Sequence, residues 1–234
     1  RSENTLGVVL RDPIGVVSII TPWNFPFLIV SQKLPFAMAA GCTAVVKPAE
    51  VTSGTTVMLG QILMDAGMPA GAVNILVGRG SVIGDVMVTH ADVDMLSFTG
   101  STAVGRSCVH ASADSNFKKL GLELGGKNAC IIYPDADIDK AIAGAVGGMN
   151  FTWCGQSCGS TSRLFVHASV YEQVMAGVLK AITHYKPGIP TDMATTMGSI
   201  ISKAQWEKIM GYIEIAKAGG AHLAYGGKVP TDAA

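Results

Sequence analysis

The sequence carries no excess of either charge: seventeen Lys and Arg face seventeen Asp and Glu, so net attraction would hold neither a nucleic-acid backbone nor an anionic membrane. A small neutral ligand fits better. Cysteine is scarce, five in 234 residues at irregular spacing, which excludes a disulfide framework and suits a reducing compartment, so a cytoplasmic protein is expected. Cys154 and Cys158 lack the further Cys/His pair that a zinc site needs, and no metal is expected. Long apolar runs are missing as well. The longest, Ile14 to Val30, is interrupted by Pro22, Asn24 and Pro26 and cannot form a continuous membrane span. No secretory leader, internal repeat or low-complexity tract is read. The chain opens on Arg1 and closes on Val229-Pro-Thr-Asp-Ala-Ala, and both ends read as cut.

What is present is globular: 49% hydrophobic residues with 15% charged, in a length that allows one large domain or two smaller ones. Gly15-Val-Val-Ser-Ile-Ile20 reads as a buried strand ended by Thr21-Pro-Trp-Asn-Phe-Pro26, followed by a helix from Phe27 to Ala40 that Pro35 must kink or restart. Thr43 to Val46 is a second strand, after which Thr52 or Ser53 caps a helix to about Asp65. Val73 to Val77 and Met95 to Phe98 repeat the pattern, with helices reaching about Thr89 and Ala111, and Lys118 to Leu124 is a fifth strand. Strand and helix alternating over short connections predict an α/β fold with a parallel sheet, whose strand carboxyl ends share one ligand-binding edge. Beyond Gly125-Gly126 a second αβ unit is read. It comprises strands Ala129 to Tyr133 and Leu164 to Val166 and helices Asp135 to Asn150, Val170 to Thr183 and Lys203 to Ala218. The last helix carries Ile209, Met210, Ile213 and Ala216 on one stripe. Domains of 1–125 and 126–234 follow.

Phe151-Thr-Trp-Cys154-Gly-Gln-Ser-Cys158 sets a thiol after a flexible Gly-polar run, and a thiolate is the best nucleophile among side chains. Both cysteines also fit small buried hydrophobes. Gly100-Ser101-Thr102-x-x-Gly105, between strand and helix, suits a pyrophosphate or an ordinary helix cap. Gly78-x-Gly80-x3-Gly84 misses the dinucleotide fingerprint by one residue. Lys47 and Glu50 flank a strand end, as ligands of an adenosine ribose or as a solvated pair. Glu123, at the end of an otherwise buried strand, is a general base with a pKa raised by burial, or a carboxylate satisfied by a partner. Asn24 is an oxyanion donor or a turn residue.

Together, Trp23-Asn24-Phe-Pro, Lys47-Pro-Ala-Glu50, Phe98-Thr-Gly-Ser101, Glu123-Leu-Gly-Gly-Lys127 and Phe151-x3-Gly155-Gln-x-Cys158 resemble the NAD(P)-dependent aldehyde dehydrogenase superfamily, nearly end to end. The resemblance implies a Rossmann-like cofactor domain followed by the first part of an α/β catalytic domain. It implies Cys158 as nucleophile, Glu123 as general base and Asn24 as oxyanion donor. Lys47 and Glu50 would hold the adenosine ribose and Ser101 the pyrophosphate, with Trp23 and Gly80 as walls and Thr21, Gly84, Gly100, Gly105 and Leu124 completing the cofactor site. The cofactor would be NAD, with NADP used less well, the substrate a small aldehyde, and the enzyme a homodimer or homotetramer. Cys154 ahead of the Gly-Gln pair and Ser157 before the nucleophile depart from the pattern. The family's later Glu-x-Phe-Gly-Pro segment and C-terminal pairing strand do not occur in this sequence. Two other readings compete: a cysteine hydrolase pairing Cys158 with a histidine such as His167, and a fragment that folds or binds nucleotide without turnover.

Overall fold

β-Branched runs bounded by Gly, Pro and Asp build the first part of the chain in a computed structural model that describes residue 4 and residues 6–228; Arg1 and the closing stretch from Val229 lie outside the described residues. The chain divides into two compact units, Arg1–Leu124 and Gly125–Ala234.

In the first unit, β1 (Val16–Ile20), β2 (Thr43–Lys47), β3 (Val73–Ile75), β4 (Met95–Gly100) and β5 (Lys119–Leu124) form one sheet in the order β3-β2-β1-β4-β5. Every pairing in it is parallel. Parallel strands need crossovers, and α1 (Pro26–Ala39), α2 (Gly54–Asp65), α3 (Asp85–Thr89) and α4 (Thr102–Ala113) supply them. Period-two alternation sends Val17 and Ile19 of β1 to one face, where Val30 and Leu34 of α1 and Leu59 and Leu63 of α2 cover them. The other face packs Leu96 and Phe98 of β4 with Val88 of α3 and Cys108 of α4. Full burial of side chains such as Val30 and Leu34 contributes about 1.5–3 kcal/mol each.

Local chemistry departs from the sequence reading in three places. α1 starts with Pro26 in its first turn and continues as one helix through Pro35, whose ring lies exposed, so no restart occurs there. Ser53 precedes α2 but makes no side-chain cap, because a 3-10 turn over Glu50–Thr52 already brings Ser53 to helical angles. The glycine stretch Gly80–Gly84 is itself a single π-helical turn leading into α3.

In the second unit, β6 (Ala129–Ile132) and β7 (Arg163–Val166) pair in parallel, and α5 (Ile138–Gly148) and α6 (Tyr171–Ile182) pack on them around Ile132, Ala145 and Val174. α5 begins three residues later than its sequence suggests because the Asp137 carboxylate accepts the Lys140 N–H at 3.2 Å and caps it there. α7 (Lys203–Ala218) has the expected bounds, with Ile209, Met210 and Ile213 half-buried on its stripe and Ala216 exposed.

Candidate active site

The strand order reverses between β1 and β4, and the carboxyl ends on either side of that switch carry Thr21 and Gly100-Ser101. A cleft of about 650 Å³ opens along this edge, with Phe98, Val88, Val104 and Cys108 as apolar wall and Lys47, Gly80 and Gly84 at its polar end. Lys47 is buried, against the solvated-pair alternative, and its ammonium lies 3.1 Å from the Pro48 carbonyl and 3.6 Å from Glu50 Oε2. The Glu50 carboxyl is held below its ordinary value, chiefly by its own backbone N–H; burial opposes this, and the Lys47 charge and the Gly80 N–H add to the lowering. Lys47, Glu50 and Gly80 are thereby brought together.

Other expected cofactor residues have local roles that bear on the same edge. Ser101 is the N-cap of α4, its Oγ accepting the Val104 N–H at 3.3 Å. Gly105 lies buried inside α4, where a Cβ would stand 2.6 Å from Leu124 Cδ2, so glycine lets β5 close on that helix. Trp23 and Asn24 are half-buried in the turn between β1 and α1. Thr21 is buried, its backbone N–H donating to Lys47 O at 3.0 Å, while its hydroxyl and that of Thr99 have no hydrogen-bond partner among the described residues. Two orphan hydroxyls at the switch, a buried ammonium paired to an exposed carboxylate and a helix N-terminus fit a dinucleotide with hydroxylated sugars and a pyrophosphate.

Glu123 corrects an expectation: it is exposed rather than buried, because β5 is an edge strand of the sheet. Its side belongs to a second cavity, of about 610 Å³, lined also by Ser97, Gly121 and Lys33. Lys33, which the sequence reading missed, donates to Ser97 Oγ at 2.9 Å; burial lowers its pKa and the Glu123 charge partly restores it.

The second unit holds Cys154 and Cys158. The loop after α5 opens with Asn150 at φ 55°, forms a 3-10 turn over Phe151–Trp153, and turns again through Cys154 at φ 56° and Gly155 at φ 66°. Left-handed angles at Asn150 and Cys154 cost free energy that the surrounding contacts must offset. Phe151 packs on Tyr185 with ring centroids 5.2 Å apart, and Gln156 Oε1 accepts the Ile201 N–H at 3.1 Å. The Cys154 thiol donates to the Gly198 carbonyl at 2.9 Å, and burial pushes its pKa up. Cys158 is exposed. Its carbonyl and that of Ser160 both accept from Asn128 Nδ2, at 2.9 and 3.3 Å. Thr161 sits over Gly148, where an added Cβ would collide with Thr161 Oγ1 and force that side chain to move. His167 has a local role: its Nδ1 accepts the Ser169 N–H at 3.3 Å and caps the turn Ala168–Val170.

A profile of the family described as "Aldehyde dehydrogenase family" matches residues 1–234. Among similar proteins, a mitochondrial aldehyde dehydrogenase of Leishmania tarentolae is 46% identical over 228 residues, 97% of this chain and 46% of that protein. Betaine aldehyde dehydrogenase 1 of rice, Oryza sativa subsp. japonica, is 41% identical, again over 97% of this chain and 45% of its own length. Of solved structures, betaine aldehyde dehydrogenase from Staphylococcus aureus in complex with NAD+ matches with a TM-score of 0.91 at 40% identity, covering 94% of this chain and 43% of that one. An NAD-dependent aldehyde dehydrogenase from Sinorhizobium meliloti matches at 0.92 and 41%, covering 95% and 44%. The chain spans about half the length of the curated relatives it matches.

Proposed function

Because the chain belongs to the aldehyde dehydrogenase family, we propose that the whole protein oxidises an aldehyde to a carboxylic acid with NAD+, through a covalent intermediate on Cys158. The observation that carries this reading is the contrast within one loop: Cys158 is exposed, whereas Cys154 is committed to the Gly198 carbonyl. The Cys158 thiolate adds to the aldehyde carbon, and the resulting tetrahedral oxyanion accepts hydrogen bonds from the Asn24 amide and the Cys158 backbone N–H. A bound nicotinamide dinucleotide supplies the two-electron acceptor for the hydride that leaves this carbon. The product on Cys158 is a thioester. Glu123 then takes a proton from water, hydroxide adds to the thioester carbonyl, and the thiolate is expelled as the acid forms.

Lys47 and Glu50 bind the adenosine ribose, Ser101 and the start of α4 face the pyrophosphate, and Thr21, Trp23, Gly80, Gly84, Gly100, Gly105 and Leu124 shape the remainder. Support for this comes from the buried Lys47, its pairing with Glu50, and the orphan hydroxyls at the switch. Residues 1–125 form the cofactor domain and 126–234 belong to the catalytic domain. The whole protein acts as a homodimer or homotetramer, supported by Val57, Met58 and Ile62 exposed together on α2, and light scattering tests it. Free cysteines support a cytoplasmic location, which cell fractionation tests; no helix among the described residues is long and apolar enough to cross a membrane. The decisive assay for function is NADH absorbance with aldehyde and NAD+. Cys158→Ala abolishes turnover while retaining NAD+ binding, and an active Cys158→Ala protein would refute the assignment.

A further inference from the structure

We propose that Asn128 is a positioning residue for the nucleophile, its carboxamide clamping both carbonyls that flank Gly159; the functional part of this rests on the assignment of Cys158 above. One nitrogen serves two acceptors. Asn128 Nδ2 donates to Cys158 O at 2.9 Å and to Ser160 O at 3.3 Å, and an amide NH₂ carries one hydrogen for each. The residue is itself anchored where β6 begins, since its own carbonyl accepts the Arg163 N–H at 3.1 Å and the neighbouring Lys127 carbonyl accepts Arg163 Nε at 2.8 Å.

The far side of the clamp does not give way. Ser160 is 4% exposed, donates its hydroxyl to Met149 O at 3.0 Å and accepts from Asn150 Nδ2 at 3.3 Å. Thr161 N–H continues the attachment to Gly148 O at 2.9 Å. On the approach to the nucleophile, Gln156 is held by the Ile201 N–H. Asn128 therefore fixes the peptide plane that follows Cys158, and with Gln156 it sets the direction in which the exposed thiol leaves the backbone.

The chemistry of the clamp is specific to the side chain. Aspartate has the same shape but would turn a carboxylate toward two carbonyl oxygens, and serine offers a single hydrogen. Losing two neutral hydrogen bonds predicts loop opening favoured by roughly fivefold to 150-fold.

The test uses Asn128→Asp and Asn128→Ser in the whole protein, with two readouts. Hydrogen–deuterium exchange is followed by mass spectrometry, and the NADH burst is followed in single turnovers. Expected for Asn128→Asp are faster exchange at amides 156–161 with β6, β7 and α5 unchanged, and a burst rate constant lower by about tenfold with KM for NAD+ unaltered. Asn128→Ser falls between the two and serves alone if the aspartate variant does not fold. Unchanged loop exchange in the folded variants, or an unchanged burst despite a loosened loop, overturns the proposal. Absence of NADH formation in the unsubstituted whole protein refutes the functional assignment instead, and loop exchange then decides the clamp by itself.

Discussion

Glu50 offers a physical discriminator between the two nicotinamide dinucleotides. Its Oε2 stands 3.6 Å from the Lys47 ammonium, with the Glu50 side chain 49% exposed and that of Lys47 4%. If the carboxylate accepts the ribose hydroxyls, a 2′-phosphate brings like charges within a few Å. Unit charges at roughly 4 Å repel by about 4 kcal/mol at an effective dielectric of about 20. Solvent around the half-exposed carboxylate and the adjacent ammonium reduce this. A residue of about 1.4 kcal/mol still amounts to a factor of about ten in affinity. NAD+ is therefore expected to be preferred by about tenfold or more in kcat/KM, with Lys47 leaving NADP+ some use. Glu50→Gln keeps an acceptor, removes the charge and narrows the gap. Steady-state kcat/KM for both cofactors in both proteins is the assay. An NADP+ preference in the unsubstituted protein, or an unchanged ratio in the variant, would remove Glu50 from this role.

The same substitution has a stability signature: a carboxyl with depressed pKa stabilises the fold above its ordinary value of 4.5, and this is lost as pH falls through the lower folded value. The difference in unfolding midpoint between the Glu50→Gln chain and the unsubstituted chain is expected at pH 7 and should shrink on acidification below pH 4.5; a difference that grows there contradicts the sign. Cys154→Ala should leave turnover largely intact while costing about 1 kcal/mol in denaturant unfolding, because it removes the thiol bond to Gly198; loss of turnover comparable to Cys158→Ala would reassign the nucleophile. Gly148→Ala should destabilise by about 1–3 kcal/mol through collision with Thr161, read as a lower melting temperature, and an unchanged melting temperature would contradict the packing described. Glu123→Gln should slow thioester hydrolysis more than hydride loss, giving an NADH burst before a slow steady state, whereas an unchanged steady-state rate would show that another group activates water.

The sheet was legible because its signals are local. Val-Val-Ser-Ile-Ile before a Pro-rich turn and Thr-Ala-Val-Val before Lys-Pro can hardly be anything but buried strands. Glycine and small polar residues at the next turns then marked the ligand edge. The exposure of Glu123 was not legible, because whether a strand is central or at an edge depends on sheet order, which no window of sequence contains. The nucleophile loop shows the same limit more sharply. Its cysteines were evident from the Gly155-Gln-x-Cys158 spacing, but what distinguishes them is long-range: Cys154 meets Gly198, 44 residues on, and Cys158 is held by Asn128, 30 residues back. The recognisable motif stopped at Lys127, one residue short of that contact. The cap that His167 makes is local, with Ser169 two residues on after a strand end.

Covalent chemistry at Cys158 is tested most directly by intact-mass and peptide mass spectrometry of the Glu123→Gln protein, quenched in acid within seconds of mixing with aldehyde and NAD+. Expected is an acyl group, two hydrogens lighter than a simple aldehyde adduct, on the peptide containing Cys158, formed only when NAD+ is present and absent from Cys158→Ala. NADH formation without any such adduct, or an adduct on Cys154 in its place, would contradict it.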